Sequence, residues 1–334
     1  MISFIESLGK NNRSAIVISN EKTDCQVISS LLGGRVKFVK LKNDNPVSDQ
    51  FLIPLNILRK TSVYFSIYPK FPVILPFLGV KVFVIIADMI NFSISQKIFL
   101  KVFGKLPYRV ITISDTWKKK IDRFIGKNTV RVYCDISYME EKFGRNLEDK
   151  QLDKDELKML GIEPGKYLLY VGNFNPHKNI KNLILAFKIV REKFEDLQLV
   201  LAGGGGKNEQ KFDVPPECKI IRFPDDALLK KLYMNAFAFV LPSFQEGLGI
   251  PLIEAAYFAK PILASDIDIF RETAGDCALF FDPNSPKDIS DKILILRQNS
   301  SLRKSMEEKS RKIAEKFSSF KTGDILYEIV FGKQ

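Results

Sequence analysis

The sequence holds a single histidine, His177, and four cysteines, Cys25, Cys134, Cys218 and Cys277, no two of which make a CxxC pair. One histidine excludes a multi-histidine metal site and limits any Ser-His-Asp triad to that residue. Scattered cysteines argue against a zinc or disulfide framework and for free buried thiols in a reducing cytoplasm. Long apolar runs are missing too. The most apolar stretch, FPVILPFLGVKVFVII at 71–86, is broken by Pro72, Pro76, Gly79 and Lys81. It falls short of the roughly 20 apolar residues of a spanning helix and reads as a loop followed by a buried strand. The opening MISFIESLGKNN lacks the basic-then-apolar pattern of a secretory signal, so a cytoplasmic chain is expected. The glycine signatures GxGxxG with a following acid and GxxxxGK[ST] are absent as well, which removes the ordinary dinucleotide and P-loop readings.

What is present is a chain of 334 residues, 46% hydrophobic and 27% charged, enough for two domains of globular composition. Its charge is unevenly spread. Residues 1–134 hold 21 Lys and Arg against 8 Asp and Glu, whereas the rest hold 30 against 31, so the whole excess of +12 belongs to the first half. Such asymmetry points to an anionic partner for that half. Among such partners an anionic membrane surface or a phosphorylated acceptor is expected. Nucleic acid is not, because no recognised binding module is present. The cluster TWKKKIDRF at 116–124 mixes lysines with aromatic and apolar residues in the manner of an interfacial helix.

Short β-branched runs alternate with amphipathic stretches along both halves. SAIVIS, VKFVKL, SVYFSIY, KVFVIIA, RVITIS and VRVYCDI read as strands in the first half, with CQVISSLL, SQKIFLKVF and TWKKKIDRFI as helices between them. A charged stretch at 139–162 then serves as the linker, and the alternation restarts with KYLLYVG, LQLVLAGGG, CKIIRF, FAFVLPS and PILASD. Strand-helix alternation builds parallel sheets covered by helices. The expected fold class is therefore α/β, with two doubly wound Rossmann-like domains in series, residues 1–150 and 151–315.

Three segments carry chemistry, each at the carboxyl end of an expected strand, where ligands of such sheets sit. YVGNFNPHKNI (170–180) puts Lys178 at a helix start, well placed for a phosphate, with Asn179 as a candidate cap. LVLAGGGG (199–206) runs a strand into four glycines. PSFQEGLGIPLIEAAYFAKP (242–261) sets Glu246 and Glu254 eight apart, with Gly247 and Gly249 before a helix whose first turn accommodates Pro251. On residues alone the two glutamates are catalytic partners, a ligand clamp, or polar edges of a turn and helix. Pro224-Asp225-Asp226 and Asp266-Ile267-Asp268 resemble DxD metal motifs but read as loop caps.

In kind and order these segments resemble the donor-binding half of the GT-B glycosyltransferases, specifically glycosyltransferase family 4. VGNFNPHKN is similar to the diphosphate-binding turn, LAGGG to the glycine turn, EGLGIPLIE to the E-x7-E signature and FRETAGDCALFFDP to the closing segment. The resemblance covers roughly residues 164–320. It implies two domains facing a cleft, with a C-terminal helix at 316–334 crossing back to the first, and a retaining, metal-independent hexosyltransferase. A nucleoside-diphosphate sugar would be the substrate, with no cofactor, and the acceptor a lipid-linked or cell-surface glycan, handled peripherally at the membrane. Glu254 would hold the ribose, Glu246 the donor sugar, and Lys178 with the amides of Gly247, Leu248 and Gly249 the diphosphate. Gly172, Asn173, Gly203 and Phe223 complete the implied donor set.

Departures lie mainly in the first half. Asn173 stands where the family often has arginine. The strand that usually ends in His-Asp ends here in Ala87-Asp88, leaving Asp88 as the acceptor-side candidate. Phe4–Asn12 reads as the helix that follows the family's first strand, so that strand and its glycine loop are expected to be missing. These departures motivate two other readings, a catalytically impaired sugar-nucleotide-binding accessory subunit that works with a protein partner, and a nucleotide-sugar epimerase.

Overall fold

The computed structural model describes residues 7–8, 10–11, 15–19, 36–40, 50, 53–55, 57, 60–66, 70–143, 154–206 and 208–332. By packing the chain divides into two compact units, Met1–Asp135 with Phe320–Gln334, and Ile136–Ser319.

In the first unit, β1 (Ala15–Ser19) and β2 (Val36–Lys40) pair in parallel. A second parallel sheet has the order β3 (Val63–Ser66), β4 (Lys81–Ile85), β5 (Arg109–Thr112), β6 (Val130–Arg131). Among the described residues no strand precedes β1. Residues 7, 8 and 10 are helical, while the expected helix 25–32 and residues 1–6 lie outside the described set. The stretch at 71–86 is a one-turn 3-10 segment (Leu75–Leu78) followed by β4, and Val82, Phe83 and Val84 are buried. Helix α1 (Ile94–Phe103) follows, opened by a reciprocal capping box between Ser93 and Gln96. Helix α2 (Asp115–Ile125) starts at Ser114, whose hydroxyl accepts from the Trp117 amide, and ends at Gly126 in the left-handed region.

Two expectations change in this unit. The apolar residues of 116–124 do not face outward as an interfacial helix would have them: Trp117, Ile121 and Ile125 are buried, so the apolar side of α2 faces the core of its own unit and its basic side is exposed. The strand VRVYCDI shortens to Val130–Arg131. Beyond it the chain is held differently, because the Thr322 hydroxyl donates to the Tyr133 carbonyl (2.7 Å) and accepts from the Asp135 amide (2.7 Å).

The second unit begins with α3 (Tyr138–Phe143) and α4 (Lys154–Met159), so the described ends of the expected linker are helical. Both ends are packed, since Met139, Phe143 and Leu157 are buried and Phe143 meets the Phe258 ring edge-on at 5.1 Å. The parallel sheet comprises β7 (Tyr167–Gly172), β8 (Gln198–Gly203), β9 (Cys218–Arg222), β10 (Ala238–Leu241), β11 (Ile262–Ser265) and β12 (Leu279–Phe281), in the order β12-β11-β10-β7-β8-β9. The strands read as near-continuous apolar runs because they are buried on both faces. The chain winds from β7 to β9 in one direction and from β10 to β12 in the other. The order therefore reverses between β7 and β10, the place beyond the strand carboxyl ends where sheets of this kind hold ligands. Connecting helices are α5 (Ile180–Arg191), α6 (Asp226–Asn235), α7 (Ile250–Tyr257) and α8 (Asp268–Ala274), followed by α9 (Pro286–Gln298) and α10 (Ser300–Ser318).

The last helix, α11 (Thr322–Phe331), belongs to the first unit. Its Leu326, Tyr327 and Val330 share a core with Phe83, Ile111 and Val132. Among the described residues no helix is long and apolar enough to cross a membrane.

Candidate active site

The chemistry-bearing segments meet at the reversal between β7 and β10. After β7 the chain makes a 3-10 turn over Pro176–Lys178 and enters α5 through Asn179, whose φ is 57°. After β10 it runs through residues 242–249 into α7. Backbone and side-chain bonds stitch the two loops together. The Phe244 amide donates to the His177 carbonyl at 2.8 Å. The Asn179 amide group donates to the carbonyls of Pro242 (2.9 Å) and Pro283 (2.7 Å). Asn179 was expected to cap α5 with its side chain, but that side chain ties three loops instead.

This stitching brings Lys178 and Glu246 together. Lys178 Nζ stands 2.6 Å from Glu246 Oε1, and each residue is only 8% exposed. The same carboxylate oxygen accepts from the Ser243 hydroxyl at 2.8 Å. A lysine is almost never this buried without a partner, because desolvating an ammonium is costly. Nearby, the Tyr170 hydroxyl donates to the Asn173 carbonyl (2.7 Å), and burial, reinforced by the Glu246 charge, pushes its pKa well above the tyrosine norm.

The glycine turn stands beside this pair. Gly172 and Gly203 are paired across β7 and β8, and a Cβ on Gly203 would lie 2.1 Å from the Gly172 carbonyl oxygen. With φ at 126°, residue 203 therefore excludes a side chain on both steric and conformational grounds. The Gly203 carbonyl accepts from the Phe223 amide at 2.9 Å. Phe223 sits at φ 48° with its ring exposed against Gly204 and Gly205. A bulky residue in the left-handed region is strained, and such strain collects at functional sites.

Gly249 starts α7 at φ 82°, where a Cβ would lie 2.8 Å from the Phe270 ring, and Pro251 occupies the first helical turn. The loop before it is fixed by the Thr273 hydroxyl, 2.9 Å from the Leu248 carbonyl. Gly247, Leu248 and Gly249 thus lead directly into a helix N-terminus, whose amides and dipole favour an anion. Glu254, one turn on, is buried. The Tyr233 hydroxyl donates to its Oε2 (2.8 Å) and Lys142 Nζ to its Oε1 (3.0 Å). Burial, with the Glu254 charge beside it, raises the Tyr233 pKa well above its usual value.

Lys142, Tyr233 and Ser243 were not singled out from the sequence. Lys142 and Tyr233 are 112 and 21 positions from Glu254, and no short spacing announces either contact. Ser243 lay within the quoted PSFQEG segment. Asp88 lies in the other unit, in the turn after β4, where its carboxylate accepts from the Ile90 amide at 2.9 Å. Two of the DxD-like aspartates are engaged locally, and Asp226 stands 3.7 Å from Lys142. Asp225 caps α6 through the Leu228 amide, and Asp266 forms a two-pronged pair with Arg271 at 2.7 and 2.8 Å. Among the described residues no cluster of three or more His, Cys, Asp or Glu could hold a metal ion.

A strand-order reversal with a buried Lys–Glu pair, a glycine turn and a helix start beside it marks the candidate site, and the two parallel-sheet units are those of the GT-B fold. The solved glycosyltransferase from Rickettsia africae matches with a TM-score of 0.77 at 16% identity, covering 100% of this chain and 94% of that one. Residues 153–313 match the family model for "Glycosyl transferases group 1". O-antigen chain mannosyltransferase B of Escherichia coli is 29% identical over 63% of this chain and 56% of its own length. O-antigen chain mannosyltransferase RfbU of Salmonella typhimurium is 27% identical over 58% and 54% respectively. The chain thus spans about half the length of the curated relatives it matches.

Proposed function

We propose that the protein is a retaining glycosyltransferase of family 4 that moves a hexose, with mannose as the first candidate, from a nucleoside-diphosphate sugar to a growing glycan. The observation that carries this reading is the buried Lys178–Glu246 pair at the β7/β10 reversal within the segment that matches the group 1 family. Mannose is chosen because the similar O-antigen enzymes are mannosyltransferases.

In this reading Glu254 holds the ribose hydroxyls, Glu246 the hydroxyls of the donor sugar, and Phe223 and the Gly203 turn flank the nucleotide. The amides at Gly247–Gly249 and the Lys178 ammonium meet the diphosphate. During transfer the bond from the anomeric carbon to the diphosphate oxygen breaks, and negative charge grows on that oxygen. Fixed cations and amides aimed at this charge lower the barrier, and these protein groups take the place of a metal. The acceptor hydroxyl attacks from the same face, and its proton passes to the leaving oxygen. Glu246 is thus a sugar clamp rather than half of a glycosidase acid/base pair. The basic first half fits a lipid-linked acceptor and a peripheral position on the inner membrane face.

A panel of nucleoside-diphosphate sugars, incubated with a lipid-linked glycan acceptor and followed by NMR of the product anomer, tests this. Transfer with retained configuration is expected from one donor, and strongly slowed in Lys178→Met. Inverted product, or epimerised donor without any transfer, would overturn it.

A further inference from the structure

The outer side of α1 is apolar where solvent should favour polar groups. Ile94, Ile98 and Val102 are 79%, 59% and 62% exposed. At i, i+4 and i+8 they form one ridge, about 12 Å long at 1.5 Å per residue. The inner side is accounted for separately, because Leu100 is buried and Phe99 meets Phe71 edge-on at 5.4 Å. That contact also ties α1 to the segment leading into the Leu75–Leu78 turn, where Ile74, Phe77 and Leu78 are exposed.

Helix α2 lies alongside. Lys101 Nζ on α1 donates to the Phe124 carbonyl at 3.0 Å and stands 5.4 Å from the Phe124 ring centre. With Trp117, Ile121 and Ile125 turned inward, α2 exposes Lys119, Lys120 and Arg123. Residues 70–134 contain twelve basic and three acidic side chains. The acids are occupied within the unit: Asp115 by Arg131, Asp122 by Lys118 and the Thr129 amide, and Asp88 by the Ile90 amide.

We infer that the outer face of α1, together with the basic edge of α2, docks this unit onto an anionic lipid bilayer. The aliphatic ridge enters the headgroup–acyl boundary, and the long basic stems keep their charges at the phosphates. A bilayer matches an apolar ridge flanked by charge of a single sign. The inference rests on the peripheral-membrane reading above and names the surface that performs it.

Co-sedimentation of the full chain with vesicles of phosphatidylglycerol and phosphatidylcholine, against phosphatidylcholine alone, tests it. Binding is expected only with the anionic lipid and is weakened by salt. Ile98→Asn/Val102→Asn should lower the partition coefficient at least about tenfold and leave the melting temperature close to that of the parent, because both positions are exposed. Lys119→Gln/Lys120→Gln/Arg123→Gln should lower binding and flatten its salt dependence. Unchanged vesicle binding in the ridge variant, or no binding by the parent, overturns the inference. So does a parent dimer in light scattering that the ridge variant converts to monomer, which would make the face an interface between copies. A parallel thermal-shift titration with nucleoside diphosphates reports on the donor site alone, so failure there counts against the function proposed above and not against this surface.

Discussion

Replacing Glu246 by alanine removes the carboxylate that Lys178 meets at 2.6 Å and that Ser243 meets at 2.8 Å. Both ends of the pair are nearly inaccessible, so water cannot readily replace the lost partner. Breaking one side of a buried ion pair costs about 3–5 kcal/mol, most of it from the charge left behind. For a domain of this size each kcal/mol moves the midpoint by roughly 2–4 °C. A fall of roughly 6 °C or more is therefore expected for Glu246→Ala in differential scanning calorimetry without nucleotide. Lys178→Met/Glu246→Leu deletes both charges, and its stability should return to within about 1 kcal/mol of the parent, because apolar replacement of a whole buried pair is often close to neutral. Donor binding should not return in the double variant. A Glu246→Ala midpoint within a degree of the parent would show that the pair contributes nothing and would refute the reasoning. Equal destabilisation in the double variant would place the cost in packing rather than in charge.

Lys178→Met should reduce kcat on the matching donor by about 10²–10³, the usual loss for a group facing developing charge, as followed by release of nucleoside diphosphate. Glu254→Ala should abolish the melting-temperature rise given by the matching nucleoside diphosphate, whereas Tyr233→Phe should cost only about 1 kcal/mol of stability in denaturant unfolding. Gly203→Ala should destabilise by at least about 2 kcal/mol, since its Cβ meets a carbonyl at 2.1 Å at a positive φ; urea unfolding reads this directly. Burial pushes the Cys218 thiol up from 9.0 to about 12. The unfolded chain loses that proton first, so the contribution is complete below pH 9 and is lost as pH rises towards 12. Cys218→Ala should flatten the decline in unfolding free energy between pH 9 and 11.

The second unit was legible because its strands are buried on both faces. KYLLYVG, LQLVLAGGG and FAFVLPS read as apolar runs, and each ends in a loop of glycine, proline or small polar residues. The three loops belong to separate strand ends, yet one sheet topology brings them together. Lys178 and Glu246 were thus nameable from sequence, although their mutual contact was not. In helix α2, alternating lysines and apolar residues describe a core-facing helix as well as an interfacial one, so the pattern does not say where its apolar side lies. Helix α1 shows the reverse: SQKIFLKVF is apolar on two sides, and periodicity does not say which side the protein covers. Lys142 and Tyr233 lay beyond reach, since their partner is distant in the chain.

Asn179 occupies a left-handed conformation and spends both hydrogens of its side-chain amide on carbonyls from two other loops. Aspartate tolerates the conformation but has no hydrogens to donate, glycine accepts the dihedral and offers no side chain, and glutamine is a methylene too long. Position 179 therefore has a vocabulary of one residue. In a mutational scan it would score as severely as Lys178, through loss of architecture rather than loss of chemistry.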